Sequence, residues 1–375
     1  MKKLGLYVHI PFCVRKCNYC DFYSVAHSCD TEKSYITALC DHIRAESHLY
    51  KNCEFDTVYV GGGTPSILSP ESVKMLADTI KNNLKTTQGL EFSIELNPCS
   101  ITKEKLLAYK SVGINRLSIG MQSASDSELG RLGRLHTRCE LEKGFLLARE
   151  CGFDNISLDL MFGLPSQSVD SFAKTVEYAL SLSPEHISAY GLKIEENTPF
   201  GKSIDSLVLP TEDEDYEMYK LLCHKLSKVG YEQYEISNFA KEGYRSRHNM
   251  KYWLCQEYVG FGASAHSYFD GVRYCYERDL QKYISGKWEK ITEDYEREHQ
   301  TQEDKMDEYV MLRLRLCDGV DENEFEKAFQ KQFLSEYPKI ESFVKSGHVS
   351  HQNSKFSFTC DGFFVSNYIL SRILH

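Results

Sequence analysis

Leu4-Gly5-Leu6-Tyr7-Val8-His9-Ile10-Pro11-Phe12-Cys13-Val14-Arg15-Lys16-Cys17-Asn18-Tyr19-Cys20-Asp21-Phe22 reads as a strand that runs straight into a tight group of three thiols. Residues 4–10 are rich in aliphatic and aromatic side chains and are stopped by Pro11, which is the signature of a short buried strand. The same rhythm repeats downstream. Further strands are predicted over 55–60, 91–96, 115–119, 155–160 and 186–192, and helices over 31–50, 70–86, 102–112, 138–151, 168–182 and 212–229. Two helix starts carry clear signals, Ser69-Pro70-Glu71-Ser72 and Thr102-Lys103-Glu104-Lys105, each a capping hydroxyl ahead of an acidic first turn. Six βα units in succession predict an α/β fold built on a parallel sheet with crossover helices.

Strand periodicity then sorts the side chains. Phe92, Ile94 and Leu96 share one face, with Ser93, Glu95 and Asn97 on the other; Ile156, Leu158 and Leu160 oppose Ser157 and Asp159. Leu117, Ile119 and Met121 likewise oppose Ser118, Gly120 and Gln122. A flat doubly wound sheet is apolar on both faces, so a polar inner face predicts a partial (β/α)6 barrel around a ligand-filled lumen, spanning residues 1–230. Beyond it the rhythm stops. Residues 231–300, rich in Tyr, His and Gly, are expected to form an appended α/β connector, and 301–375 a small winged-helix-like domain whose hairpin turns at Gln352-Asn353-Ser354.

Composition narrows the class of partner. The chain has 375 residues with 44 Lys plus Arg against 54 Asp plus Glu, a formal charge of −10. That balance argues against a surface that tracks nucleic-acid phosphates, and the segment 301–375, with nine basic against twelve acidic side chains, shows no basic patch either. With no long apolar run and no export signal after Met1-Lys2-Lys3, the expectation is a cytoplasmic protein that is not integral to a membrane. Of the 14 cysteines, eleven are scattered without a repeating interval and are expected to serve mostly as small buried hydrophobes.

Cys13, Cys17 and Cys20, spaced C-x3-C-x2-C, require a chemical account. Three thiolates on one loop can hold three irons of a [4Fe-4S] cube and leave the fourth open to a small molecule. A structural zinc site is the alternative, with His9 or His27 as fourth ligand. Placement at the mouth of a (βα) barrel favours the cluster.

In that setting the motif resembles the radical S-adenosylmethionine superfamily. Gly61-Gly62-Gly63-Thr64-Pro65, after the second strand, resembles its glycine-rich turn, where a missing Cβ lets backbone approach the ligand. Within the superfamily, Tyr7 to Cys13, Gly120-Met121-Gln122-Ser123, Asp159-Leu160-Met161-Phe162-Gly163-Leu164-Pro165 and Gly260-Phe261-Gly262-Ala263-Ser264-Ala265-His266-Ser267 resemble the group of oxygen-independent coproporphyrinogen III dehydrogenases and HemW-type haem chaperones. The resemblance implies S-adenosylmethionine contacts at Tyr7, Tyr19, Gly62, Gly63, Thr64, Glu95, Gln122, Arg134, Asp159, Gly191 and His266, and the cluster on Cys13, Cys17 and Cys20. Acceptors such as Glu95 and Asp159 suit an ammonium and ribose hydroxyls, and Arg134 suits a carboxylate.

Two departures separate the branches. The dehydrogenases carry a further cysteine two residues after the third, where this chain has Phe22, and a substantial segment before the first strand. The chaperones carry His-Asn-x-x-Tyr-Trp, present here as His248-Asn249-Met250-Lys251-Tyr252-Trp253. The resemblance therefore implies a haem chaperone that takes haem as cargo to acceptor haemoproteins, including a membrane respiratory enzyme reached by docking. It is compatible with a homodimer. His248, with Arg245, Arg247, Tyr252 and Trp253 nearby, combines an imidazole, cations and aromatics suited to haem, and is the expected haem-linked residue. The enzymatic alternative is radical oxidative decarboxylation of coproporphyrinogen III.

Overall fold

The computed structural model describes residues 1–292 and 301–375. The six predicted units are present as β1 (Lys2–Ile10), α1 (Cys29–Glu46), β2 (Cys53–Gly62), α2 (Pro70–Asn83), β3 (Thr86–Leu96), α3 (Lys103–Ser111), β4 (Arg116–Gln122), α4 (Asp126–Leu132), α5 (Arg138–Glu150), β5 (Ile156–Phe162), α6 (Val169–Ser181), β6 (His186–Gly191) and α7 (Glu212–Ser227). Ser69 and Thr102 cap α2 and α3 as their sequences suggest, and Thr137 closes a reciprocal capping box with Glu140 on α5. α4 is an additional helix between β4 and α5. It is only seven residues long, too short to show helical periodicity.

β1 to β6 lie side by side in chain order and run parallel. Their outward faces, including Leu117, Ile119, Ile156, Leu158 and Leu160, are fully buried in one continuous apolar core with the helices. The inward faces carry Tyr59, Glu95, Ser118, Asp159 and Ser188, all lining one cavity. Strands about 4.8 Å apart can bring five such side chains to a single cavity only if the sheet curls.

The segment after residue 230, expected as an appendage, is built into the same sheet. β7 (Glu232–Gln233) and β8 (Asn238–Ala240) extend it beyond β6, after which comes helix α8 (Arg247–Trp253). β9 (Tyr258–Phe261), β10 (His266–Phe269), β11 (Val272–Tyr276) and β12 (Lys290–Ile291) extend the other edge beyond β1. β9 pairs with β1 in parallel, Leu6 opposite Val259. Among the described residues the sheet has twelve strands, with β7 and β12 at its edges. The anticipated connector also covers residues 293–300, which lie outside the described residues.

At the C-terminus, α9 (Gln302–Arg313), β13 (Val320–Asp321), α10 (Glu322–Phe329), β14 (Val349–Gln352) and β15 (Lys355–Phe358) follow in chain order, and β13, β15 and β14 form a three-stranded sheet in that order. The hairpin turns at Asn353 and Ser354, both with positive φ, as a two-residue turn matched to strand twist requires.

Candidate functional site

The loop carrying the three thiols is held from both sides. At its base, Phe12–Cys13 pairs in parallel with Val25–Ala26. At its far side, Asn18 donates its backbone N–H to Leu132 O at 3.0 Å and its side-chain amide to Arg131 O at 2.8 Å. Arg15 Nη2 donates to Gly133 O at 2.6 Å. The loop is thus pinned to the end of α4, whose left-handed Gly133 turns the chain toward Arg134.

Behind the loop is a cavity of about 390 Å³. Cys13, Cys17 and Cys20 line it together with Tyr19, Gly62, Gly63, Thr64, Glu95, Gln122, Arg134 and Asp159. Thr64 Oγ1 is 3.4 Å from Cys13 Sγ, and Arg134 Nη1 is 3.7 Å from Cys17 Sγ. Arg134 Nη2 also donates to Gly120 O at 3.0 Å. The glycine-rich turn is tied to β1 by Gly63 N–H to Ile10 O at 2.8 Å and Thr64 N–H to Phe12 O at 2.7 Å. A Cβ on Gly63 would stand 2.7 Å from Phe12 O and 3.1 Å from Cys13 Sγ, so only glycine fits.

Glu95 is the hub of the inner wall. It accepts from Tyr59 OH at 2.8 Å and from Gly62 N–H at 3.1 Å. Burial, reinforced by the Asp159 carboxylate, pushes its carboxyl up to about 7. Asp159 is raised by burial as well, although Ser118 Oγ donates to it at 3.1 Å.

Three implied contacts do not line the cavity. Tyr7 lies behind its wall, with its hydroxyl 3.0 Å from His9 Nδ1 and its ring 6.4 Å from that of Tyr59. Gly191 and His266 are exposed at the ends of β6 and β10. Arg116 is a cavity residue that motif reading missed. It is 1% exposed, and its Nε lacks a hydrogen-bond partner. Alternation along β4 places it on the same face as Ser118, Gly120 and Gln122, and that signal would have found it.

His248 lies inside the fold. The ring is 1% exposed, with Nδ1 2.9 Å from Thr57 Oγ1 and Nε2 2.8 Å from Tyr252 OH, and it stacks on Tyr59 at 5.3 Å. Arg247 donates to Gly89 O and Asp56 O, and Arg245 faces Glu232. Both ring nitrogens of His248 are thus engaged within the fold. Asn249 is the member of this string that reaches the cavity.

The thiols and their surroundings fit an iron–sulfur cube better than a zinc ion. His9 is engaged at both ring nitrogens, by Tyr7 and by Tyr23 O, and His27 Nε2 bonds Glu32 at 2.6 Å. The buried Gln122 Oε1 and Arg116 Nε, unpaired in the cavity wall, are poised for a polar ligand instead.

This fold and this cavity define a radical S-adenosylmethionine protein: the profile of the radical SAM superfamily matches residues 7–179 and that of the HemN C-terminal domain residues 300–365. The chain is 36% identical over 372 residues to the haem chaperone HemW of Bacillus subtilis, covering 98% of each. It is 36% identical over 328 residues to that of Escherichia coli, covering 86% of this chain and 85% of the relative. It belongs to the HemW family. A mouse mitochondrial relative, radical S-adenosyl methionine domain-containing protein 1, is 35% identical over 71% of this chain and 61% of its own length. In fold it is similar to the coproporphyrinogen III oxidase HemN of Escherichia coli, with a TM-score of 0.83 at 22% identity over 99% of this chain and 89% of that one. Membership implies a [4Fe-4S] cluster and S-adenosylmethionine.

Proposed function

We propose that this protein is a cytoplasmic haem chaperone that binds haem and passes it to acceptor haemoproteins, with a membrane respiratory enzyme among them. The relationship to HemW proteins along essentially the whole chain carries this reading. Phe22 supports it against the dehydrogenase, because the position two residues after Cys20 holds an apolar side chain, 69% exposed at the cavity rim, in place of a fourth thiol. Among the described residues no helix is long and apolar enough to cross a membrane, so a membrane acceptor would be met by docking. A homodimer and a division into 1–230, 231–300, whose described strands join the sheet of the first part, and 301–375 complete the proposal.

Cys13, Cys17 and Cys20 would hold the cluster. When bound, the cluster supplies an open iron for the amino and carboxylate groups of S-adenosylmethionine, and an electron. Within the cavity, Glu95 and the Gly62-Gly63-Thr64 turn would receive the ligand's ammonium, Arg134 its carboxylate, and Asp159 its ribose, with Gln122 and Tyr19 closing the walls. We add Arg116 as a guanidinium that offsets the two buried carboxylates. Tyr7, Gly191 and His266 would join only through the ligand-bound arrangement.

Because Glu95 must be ionised to pair with an ammonium, S-adenosylmethionine should bind roughly fivefold to tenfold more tightly at pH 7.5 than at pH 6. Calorimetric titration checks this, and Glu95→Gln should flatten the profile. Stability runs the other way. The folded chain keeps a proton that the unfolded chain loses above about 4.5, so Glu95 makes folding less favourable as pH rises from 4.5 to about 7, and level beyond.

Haem titration with transfer to an apo-haemoprotein tests the function. A chaperone must release haem without releasing its resident cluster, so haem should bind equally to wild type and to a variant lacking the three thiols. Decarboxylated product at catalytic turnover from coproporphyrinogen III and S-adenosylmethionine would defeat the proposal. His248→Ala adds a decision about the ligand. A retained haem spectrum leaves His248 in its packing role, and a lost one, with the fold intact, means that α8 lifts to free the ring.

A further inference from the structure

The eleven cysteines outside the loop do not behave as a single class. Only Cys40 and Cys53 are buried, while Cys29, Cys99 and Cys139 are exposed and the remaining six are half-buried. Two of the half-buried thiols, far apart in sequence, are brought to one place: Cys223 on α7 and Cys360 at the start of the short helix Cys360–Phe364. They face a common, largely apolar cleft with Lys220, His224, Tyr231 and Phe239.

We propose that Cys223 and Cys360 form a thiol–disulfide exchange site, which reacts with a low-molecular-weight disulfide such as glutathione disulfide and links α7 to the C-terminal unit. Neither element has to move far. Tyr216 OH on α7 donates to Asp361 Oδ1 at 2.6 Å, and the Tyr216 and Phe364 rings lie 5.2 Å apart, so the two backbones are already docked beside the thiols. The roles within the pair are unequal. Proximity to Cys223, with help from Lys220, lowers the Cys360 thiol, whereas proximity to Cys360 and burial raise Cys223. Cys360 is therefore the attacking sulfur and Cys223 the resolving one.

The chemistry closes. The Cys360 thiolate attacks one sulfur of glutathione disulfide, forming a mixed disulfide and expelling one glutathione thiolate. Cys223 then attacks the Cys360 sulfur, its proton going to the second departing glutathione. Two protein thiols are oxidised by two electrons, and one glutathione disulfide is reduced to two glutathiones.

The test uses the full chain, reconstituted anaerobically with iron and sulfide, exposed to glutathione disulfide, alkylated and mapped by mass spectrometry. The expected result is the loss of two alkylatable thiols and a peptide pair joined through Cys223 and Cys360. Cys223→Ser should leave a stable glutathione adduct on Cys360, and Cys360→Ser should leave none on Cys223. Adducts confined to Cys29, Cys99 and Cys139, or a link through Cys317, which also lies near Cys223, would overturn the proposal. Should a serine variant fail to fold, the wild-type map alone decides. The outcome is independent of whether the protein carries haem.

Discussion

The variant Cys13→Ala/Cys17→Ala/Cys20→Ala, reconstituted anaerobically with iron and sulfide, is expected to take up essentially no cluster, whereas wild type gains about four irons and a broad thiolate-to-iron absorption near roughly 400 nm. The loss should be near complete because all three proposed thiol ligands are removed. His9 has both ring nitrogens engaged by Tyr7 and Tyr23 O, His27 Nε2 is held by Glu32, and the position two residues after Cys20 is Phe22, which offers no thiol. Thermal unfolding of the cluster-free proteins should differ little. The loop does not depend on its sulfurs for shape, since Val25 N–H to Pro11 O at 2.7 Å and the Asn18 and Arg15 bonds to the end of α4 remain. Iron analysis beside a melting curve separates loss of ligands from loss of fold. If a variant loads iron to the wild-type level, the thiols are not the ligands.

Gly63→Ala carries the second large effect. Its Cβ would meet a backbone oxygen, Phe12 O, at 2.7 Å as well as Cys13 Sγ at 3.1 Å. Neither yields cheaply, because both Gly63 and Thr64 are hydrogen-bonded to the chain that carries Cys13. Either the turn peels off β1 or the thiol shifts, at a cost of about 1–3 kcal/mol in overpacking. Transferred to the ligand site, such a displacement should weaken S-adenosylmethionine by at least roughly tenfold, which is about 1.4 kcal/mol. Calorimetric titration measures the affinity and a melting curve the stability. Gly89→Ala is the control: a Cβ there meets nothing within 4 Å, and both quantities should stay at wild-type values. Unchanged affinity in Gly63→Ala would remove the turn from the binding site.

Much of this protein is legible in its chain because the governing patterns are local. Alternation along β3, β4 and β5 separates the face packed under the helices from the face that lines the cavity. The caps at Ser69 and Thr102 mark helix starts by bonds to residues three positions on. The thiol spacing sits on one loop and survives as read. What remained invisible depends on which distant segments meet. β9 reads as part of an appendage, yet it completes the β1 edge by parallel pairing with the first strand of the chain, and periodicity carries no record of pairing partners. His248 looks like a displayed ligand among cations and aromatics. Only the packing of α8 against β2 turns both of its nitrogens inward, onto Thr57 and Tyr252.

The cysteines divide along the same line. For Cys13, Cys17 and Cys20 the sequence alone determines the proximity, because short spacing on a single loop forces three thiols together in any compact fold. For Cys223 and Cys360, widely separated along the chain, nothing in their flanks distinguishes them from the other scattered thiols. Their meeting is decided by the docking of α7 against the C-terminal unit, a tertiary contact whose information is spread over Tyr216, Tyr219, Asp361 and Phe364 rather than written beside either sulfur.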